Sequence, residues 1–507
     1  MSQRCFIYAA WIGIALLALT LRFHDLGERP IHADEATGAR ILSKQMEGGG
    51  YTFNPQHFHG PLLNCSTAPL ARLRGEHTWS QLSIVTLRLS PVLAGLLLVF
   101  TPLLWRRELG TWGTCAAAAL LATSPLLVYY NRMYIHESWL ALFGMIACAA
   151  VYRFATKPSS RNGIVAGLSI GLMFATKETF AISILSWLCA SALYLLYQRY
   201  SGSQTATAPV LANYFKPAAL LISCAALTAI YFYSDGLRHA AGILDALRTF
   251  FVYETTGGHE KPFSYYLHLL LWPKHRLGIW WSEGLIALLA LLTLWRTCKA
   301  RNPVGAVLFL SVATLAHIII YSCIHYKTPW LMLVPWAHAC LLAGFACHRT
   351  AALKPIARSA LGLLLLVGIA AQTKQSWHAN GRWAQDARNP YAYVPTSKDP
   401  AHIERWLNQL RHTPGMPSLE PIAVVGQAYW PLPWYLRQFE TIGYWIEPID
   451  ALRNYPIVFA MQDTAADCDA LLSASHVPLP RGLRANVQLM MYVRRDLWQR
   501  WIHPNQE

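Results

Sequence analysis

The chain has 507 residues, 54% of them hydrophobic and only 13% charged, whereas soluble proteins carry about 25% charged residues. Its formal net charge is +16 and its pI about 9.4. This excess does not indicate a nucleic-acid binder. The basic residues fall in short clusters between apolar runs, and no basic patch interleaves with base-stacking aromatics.

In chain order, apolar runs lie near 5–22, 83–105, 113–130, 138–154, 162–176, 179–197, 217–233, 279–296, 303–324, 329–347 and 357–372. A spanning helix needs roughly 20 apolar residues, with a lower limit near 17, so the fifth and eleventh runs are the shortest candidates. Arg4 before the first run resembles the start of a signal peptide, but no small-x-small cleavage site follows, so this run is read as a span. If every run spans, Arg4, Arg106/Arg107, Arg153/Lys157/Arg161, Arg199/Lys216, Arg296/Lys299/Arg301 and Arg349/Lys354/Arg358 fall on one side. The positive-inside rule makes that side cytoplasmic.

The other side then receives the long segments 23–82 and 234–278, the turns at 131–137, 177–178 and 325–328, and the C-terminal region. The expectation is an all-α polytopic domain over 1–372 with about eleven spans, in the cell (inner or plasma) membrane, N-terminus cytoplasmic. From 373 to 507 the composition changes. A helix over His402–Leu410, a β-like run at Ile422–Val425, a helix-like stretch after Trp430 and β-like runs near Ile457 and Val487–Val493 predict an extracytoplasmic α/β domain. Nine of the eleven cysteines sit in or beside apolar runs as small hydrophobic fillers. Cys65 and Cys468 lie in polar segments, which leaves a disulfide between them open, and no CxxC pair suggests zinc.

The first outside segment opens His32-Ala33-Asp34-Glu35, followed by a helical pattern that Gly48-Gly49-Gly50 stops. Asp34 suits an N-cap. It also suits a general base, one of a carboxylate pair facing a cavity just above the bilayer. The two roles are compatible if Glu35 turns elsewhere. His57 and His59 follow, with a spacing that fits no strong metal signature, and His59-Gly60-Pro61 reads as a turn returning the chain to the membrane surface.

Three short outside turns carry charge: Arg132, His136 and Glu137 in the first, Lys177 and Glu178 in the next, Tyr326 and Lys327 in the last. Taken singly, each reads as a snorkelling end with aromatic anchors. Together they place Arg132, Lys177 and Lys327 on a face where few cations are expected, at the depth of a lipid phosphate or diphosphate. With the acids Asp34, Glu137 and Glu178 beside them, one rim has cations for phosphate and acids for proton transfer.

At this point the residues resemble a known family. His-x-Asp-Glu after the first span, His59-Gly60-Pro61-Leu62, Tyr129-Tyr130-Asn131-Arg132 with His136-Glu137, Phe174-Ala175-Thr176-Lys177-Glu178, Tyr326-Lys327-Thr328-Pro329-Trp330 and Tyr429-Trp430-Pro431-Leu432-Pro433-Trp434-Tyr435 are similar to the GT-C membrane glycosyltransferases. The nearest branch is protein-mannosyltransferase-like, in particular the flippase-activity-associated group. The resemblance implies a GT-C fold and a polyprenyl-phosphate-linked sugar donor. It implies Asp34 as base with Glu35 beside it, and Glu137 as a second acid where family members commonly carry Asp. Arg132, Lys177 and Lys327 would bind the donor phosphate, and His59, His136, Glu178 and Tyr326 would line the substrate side. The mechanism requires no cofactor and leaves room for a divalent metal. A flippase or flippase partner would need the same cations without the base, and its marks, inverted repeats or helices broken at mid-membrane, are not clear in the sequence. A plain scaffold leaves the rim charges unexplained.

Overall fold

The apolar runs become helices. The computed structural model describes residues 3–200, 212–253, 257–300, 304–348 and 354–503; Arg301 and Arg349 of the basic clusters lie outside them. In chain order the helices are α1 (Gln3–Phe23), α2 (Ala33–Lys44), α3 (Leu62–Leu73), α4 (Ile84–Phe100), α5 (Arg106–Thr123), α6 (Pro125–Asn131), α7 (Glu137–Thr156), α8 (Ser160–Phe174), α9 (Phe180–Tyr200) and α10 (Ala212–Tyr233). After them come α11 (Ala241–Val252), α12 (Tyr265–Leu270) and a hairpin of β1 (Lys274–Arg276) with β2 (Ile279–Trp281). The last helices of this part are α13 (Gly284–Lys299), α14 (Gly305–Cys323), α15 (Leu333–Ala346) and α16 (Pro355–Asn380).

Among the described residues, eight segments are long and apolar enough to cross a membrane, and one of these, Ile84–Thr123, covers two of the predicted runs. The helices α8 and α13 are shorter, at 15 and 16 residues. The chain is an integral membrane protein. Helix α8 packs tightly against α10. Gly163, Gly167 and Gly171 recur every fourth residue, and a methyl group on each would lie 2.2, 2.3 and 2.7 Å from the carbonyl oxygens of Pro217, Leu221 and Ala225 on α10. Small residues at this spacing let two membrane helices approach backbone to backbone.

The predicted outside connections gather at one end of the bundle. His59 meets Glu178, Glu137 meets Lys177, and Glu260 forms a β-bridge with Tyr326. Neither Cys65 nor Cys468 forms a disulfide, so the pairing left open for them is not made.

Over that end sits the C-terminal unit. It comprises α17 (Asp399–Arg411), β3 (Ile422–Val425), α18 (Leu432–Tyr435), β4 (Ile442–Trp445), β5 (Ile457–Met461), α19 (Ala465–Leu472), β6 (His476–Arg484), β7 (Val487–Arg494) and α20 (Arg495–Ile502). The sheet order is β4-β3-β5-β7-β6, with β4, β3 and β5 parallel and the last two antiparallel. Side chains alternate as a strand period of two requires. Val424, Phe459 and Met491 pack with Ile403 and Leu407 of α17, while Val425, Val458 and Tyr492 pack with Cys468 and Leu472 of α19. Thr396 Oγ1, just before α17, donates to the Ile31 carbonyl in the loop before α2 at 2.7 Å, and Trp434 of α18 meets Trp79, in the turn between α3 and α4, edge-on at 5.5 Å.

Candidate active site

The acidic pair Asp34-Glu35 is split by the way α2 begins. His32, not Asp34, is the N-cap: its Nδ1 accepts from the Asp34 amide at 3.1 Å, and Glu35 Oε2 accepts from the His32 amide at 2.9 Å. This is a capping box with histidine in place of the usual hydroxyl residue. His32 Nε2 donates to the Tyr393 carbonyl at 3.2 Å, so its proton sits on Nε2 and Nδ1 is free to accept. The expected N-cap role of Asp34 is therefore corrected, because the helix starts two residues earlier and needs no cap from it. The Asp34 side chain is 54% exposed.

Glu35 turns the other way and is 1% exposed. Arg88, from inside α4, clasps it with Nε to Oε1 and Nη2 to Oε2, both at 2.8 Å. The Tyr134 amide also donates to Oε1 at 2.8 Å. Burial alone would raise the Glu35 carboxyl, but the guanidinium of Arg88 outweighs it and holds the group down at about 2. Arg88 Nη1 also donates to the carbonyls of Leu26 and Arg29, both at 2.9 Å. The interior acid thus organises the loop that presents the exterior one.

Around Asp34 stand Tyr253, His259, Tyr326, Tyr393 and Arg484, each close enough to feel its charge. His259 Nδ1 lies 2.6 Å from the Tyr393 hydroxyl. The segment carrying His259 is zipped to the last turn: Lys327 N donates to the His259 carbonyl and Lys261 N to that of His325. Arg484 reaches in from the end of β6, half-buried, and its Nε has no hydrogen-bond partner. A buried donor left unpaired is costly unless a ligand or water accepts from it.

Tyr253 and Tyr326 also feel Lys177 and Glu178, so this ring is continuous with a second group of the predicted residues. Lys177 Nζ donates to Glu137 Oε1 at 2.7 Å, with both side chains buried. Burial disfavours the ammonium, but Glu137 and Glu178 more than compensate and raise its pKa. Only one of its three donors is used by a hydrogen bond among the described residues. Glu178 Oε2 lies 3.0 Å from His59 Nδ1, and His59 and Lys177 together hold the Glu178 carboxyl at about 2 against the effect of burial. The ring of His59 stacks on Tyr253 at 5.2 Å and meets His136 edge-on at 5.1 Å. Burial keeps His136 neutral.

Arg132 and Lys327 are used differently. Arg132 is buried with Arg29 and Arg22 on the far side of the loop, and its guanidinium donates to the carbonyls of Leu21 and His24. It closes the C-terminal end of α1. Lys327 Nζ donates to the carbonyls of Lys261 and Ile324, which leaves one donor. The structure therefore brings Asp34, Tyr326, Lys177, Glu178, Glu137, His59 and His136 together, holds Glu35 behind them, and turns Arg132 toward the backbone of α1. Sequence reasoning missed Arg88, Tyr253, His259, Tyr393 and Arg484. Among the described residues no group of three or more His, Cys, Asp or Glu side chains is placed to hold a metal ion.

Residues 59–214 match the family model described as dolichyl-phosphate-mannose-protein mannosyltransferase. No curated protein sequence matches the chain. Among solved structures, the chain is similar to apo ArnT from Cupriavidus metallidurans, with a TM-score of 0.65 at 16% identity over 97% of this chain and 99% of that one. ArnT bound to undecaprenyl phosphate matches at 0.64 and 16% identity, over 96% and 98%. The archaeal oligosaccharyltransferase AglB from Archaeoglobus fulgidus, in complex with an inhibitory peptide and a dolichol-phosphate, matches at 0.52 and 12% identity, over 90% and 69%. The chain shares the fold of these structures, and the protein-mannosyltransferase-like resemblance read from the motifs agrees with the family model that matches residues 59–214.

Proposed function

We propose that the chain is a membrane glycosyltransferase that moves a sugar from a polyprenyl-phosphate-linked donor to an acceptor hydroxyl on the extracytoplasmic side. The observation that carries this reading is the split acidic pair. Asp34 is relieved of capping, accessible, and surrounded by hydroxyl, imidazole and guanidinium groups in a GT-C fold. Two of the similar structures hold polyprenyl phosphates, undecaprenyl phosphate in one and dolichol-phosphate in the other.

The prenyl chain would lie between helices, with the phosphate at Lys177, the remaining donor of Lys327, and Arg484. Arg132 would support the site by holding the end of α1. The acceptor hydroxyl gives its proton to the Asp34 carboxylate as its oxygen bonds to the anomeric carbon. The bond from that carbon to the phosphate oxygen breaks, and the polyprenyl phosphate leaves with the electron pair, its charge met by the cations. A single displacement inverts the anomeric centre. Glu137 orients Lys177, while His59, His136, Glu178 and Tyr326 shape the sugar side.

The test is Asp34→Asn in purified protein reconstituted in lipid, supplied with a prenyl-phosphate sugar and candidate acceptors. Product formation is expected to fall about 10²–10⁴-fold, the usual worth of a general base, with folding and donor binding intact. Near-normal turnover would remove Asp34 from the mechanism. If the unmodified protein makes no product but carries the donor across vesicles, it is a flippase.

A further inference from the structure

A second cleft opens on the same helix as Asp34. Thr37, Arg40, Ile41 and Lys44 of α2 line it together with Phe58 of the following loop and Trp430 of the C-terminal unit, and it encloses ≈ 560 Å³. Asp34, Thr37, Ile41 and Lys44 are three or four residues apart and share one helix face. Ten residues at a rise of 1.5 Å carry the cleft about 15 Å away from Asp34 along the axis.

Two cations in this cleft have no hydrogen-bond or ion-pair partner among the described residues. Arg40 lies over the Trp79 ring, 5.1 Å from its centroid, and Trp79 is itself fixed by Trp434. None of the guanidinium N–H donors meets an acceptor among the described residues. Lys44, one turn on, makes no hydrogen bond or ion pair among them either. Like charges at i and i+4 repel; Glu47 also lines the cleft, but it forms no ion pair with either cation among the described residues, and its Oε1 accepts from the Trp79 amide at 2.7 Å. A guanidinium held beside an aromatic ring with its N–H donors unused suits a carboxylate or phosphate. Phe58 and Trp430 add the aromatic lining typical of small-ligand sites.

We propose that this cleft binds the acceptor, and that the acceptor is a glycan whose anionic group, carboxylate or phosphate, lies at Arg40 and Lys44 while its reactive hydroxyl reaches Asp34. This rests on the glycosyltransferase reading. It explains why two cations without a hydrogen-bond or ion-pair partner among the described residues line one cleft on the helix that carries the proposed base, and why the C-terminal unit contributes a wall.

The test uses the full chain in nanodiscs of neutral phosphatidylcholine. Binding of trigalacturonate, mannotriose 6-phosphate and neutral mannotriose is measured by calorimetry. One of the anionic trisaccharides is expected to bind at least about tenfold more tightly than the neutral one, and which one it is identifies the anion. Lys44→Gln, an exposed change, should weaken that binding about tenfold to a hundredfold, as expected for a lost charge-assisted hydrogen bond. Arg40→Lys should weaken it in part, while both variants bind a prenyl phosphate as the unmodified protein does. Equal affinity for charged and neutral trisaccharides, or no effect of Lys44→Gln, overturns the proposal. So does binding to phosphatidylglycerol vesicles that neither anionic sugar displaces. Anionic-sugar binding without any transfer keeps the cleft and sinks the transferase reading; transfer without charge preference does the reverse.

Discussion

Glu35→Gln is the sharpest perturbation of the site, because it changes one atom in a residue that touches no proposed substrate. Glu35 accepts four hydrogen bonds, two of them from Arg88. Glutamine can still accept at one oxygen, but its NH₂ group then faces the donors at the other, and Arg88 is left buried with its charge uncompensated. Breaking a buried pair in this way costs about 3–5 kcal/mol. The pKa gives a second route to the number. A carboxyl moved from 4.5 to about 2 on folding contributes about 3 kcal/mol, at about 1.4 kcal/mol for each tenfold change. The sign follows from a depressed value: the contribution is fully present above about 4.5 and is lost as pH falls toward 2.

The assay is thermal unfolding in detergent or nanodiscs, read as an apparent midpoint at fixed scan rate. Glu35→Gln should lower the midpoint by several degrees and lower turnover with it, since α2 loses the clasp that presents Asp34. Asp34→Asn should lower turnover while leaving the midpoint unchanged. As pH falls from about 5 toward 3, the unmodified protein should lose midpoint faster than Glu35→Gln does. A Glu35→Gln protein as stable as the unmodified one, with the same pH response, would refute the clasp and reopen Glu35 as a catalytic acid.

Other expectations follow from the same contacts. Arg484→Ala should weaken binding of a prenyl phosphate by about tenfold or more, the loss of a charge-assisted hydrogen bond, whereas Arg132→Ala should lower the unfolding midpoint by freeing the end of α1; calorimetry and thermal scans on both variants would show whether the roles are reversed. Gly60→Ala sets a methyl carbon 2.2 Å from the Ala175 carbonyl oxygen, so about 1–3 kcal/mol of stability should be lost as the backbone moves, and an unchanged midpoint would mean the two loops do not cross there. A reporter fused after Trp377 should lie outside the cytoplasm and one after Lys299 inside; the same side for both contradicts the proposed orientation.

The membrane part was legible because its signal is local: each apolar run became helix, and the alternation of basic clusters assigned the polar turns to one end. Asp34 was found because an acidic pair stands just after a span. The reading of Asp34 as a cap failed because histidine is a rare N-cap, although Glu35 three residues after His32 is the other half of a capping box. Arg88 also left a signal, a lone arginine within the run 83–105, which at that position needs a partner. Tyr253, His259, Tyr393 and Arg484 had none, since they are polar loop or edge residues brought in from hundreds of positions away. The strands β3, β5 and β7 were read from their apolar or alternating runs. Strand β6 was not, because Pro478 and Pro480 make it look like loop, and prolines sit in sheets mainly at an edge, where β6 lies.

The clasp between Glu35 and Arg88 does more than stabilise. Arg88 belongs to a helix anchored in the bilayer, and Glu35 is the immediate neighbour of Asp34, so the link works as a ruler that fixes the height of the proposed base above the lipid surface. A helix turns 100° per residue, so a slip of one position would bury Asp34 and lift Glu35 away from its partner. The altitude of the carboxylate is thus set by a rigid bond pattern and not by a floppy loop. On the proposed mechanism, a donor joined to its lipid by a diphosphate in place of a monophosphate would present its reactive carbon at a different height. Chain length between lipid and anomeric centre would then be read as distance.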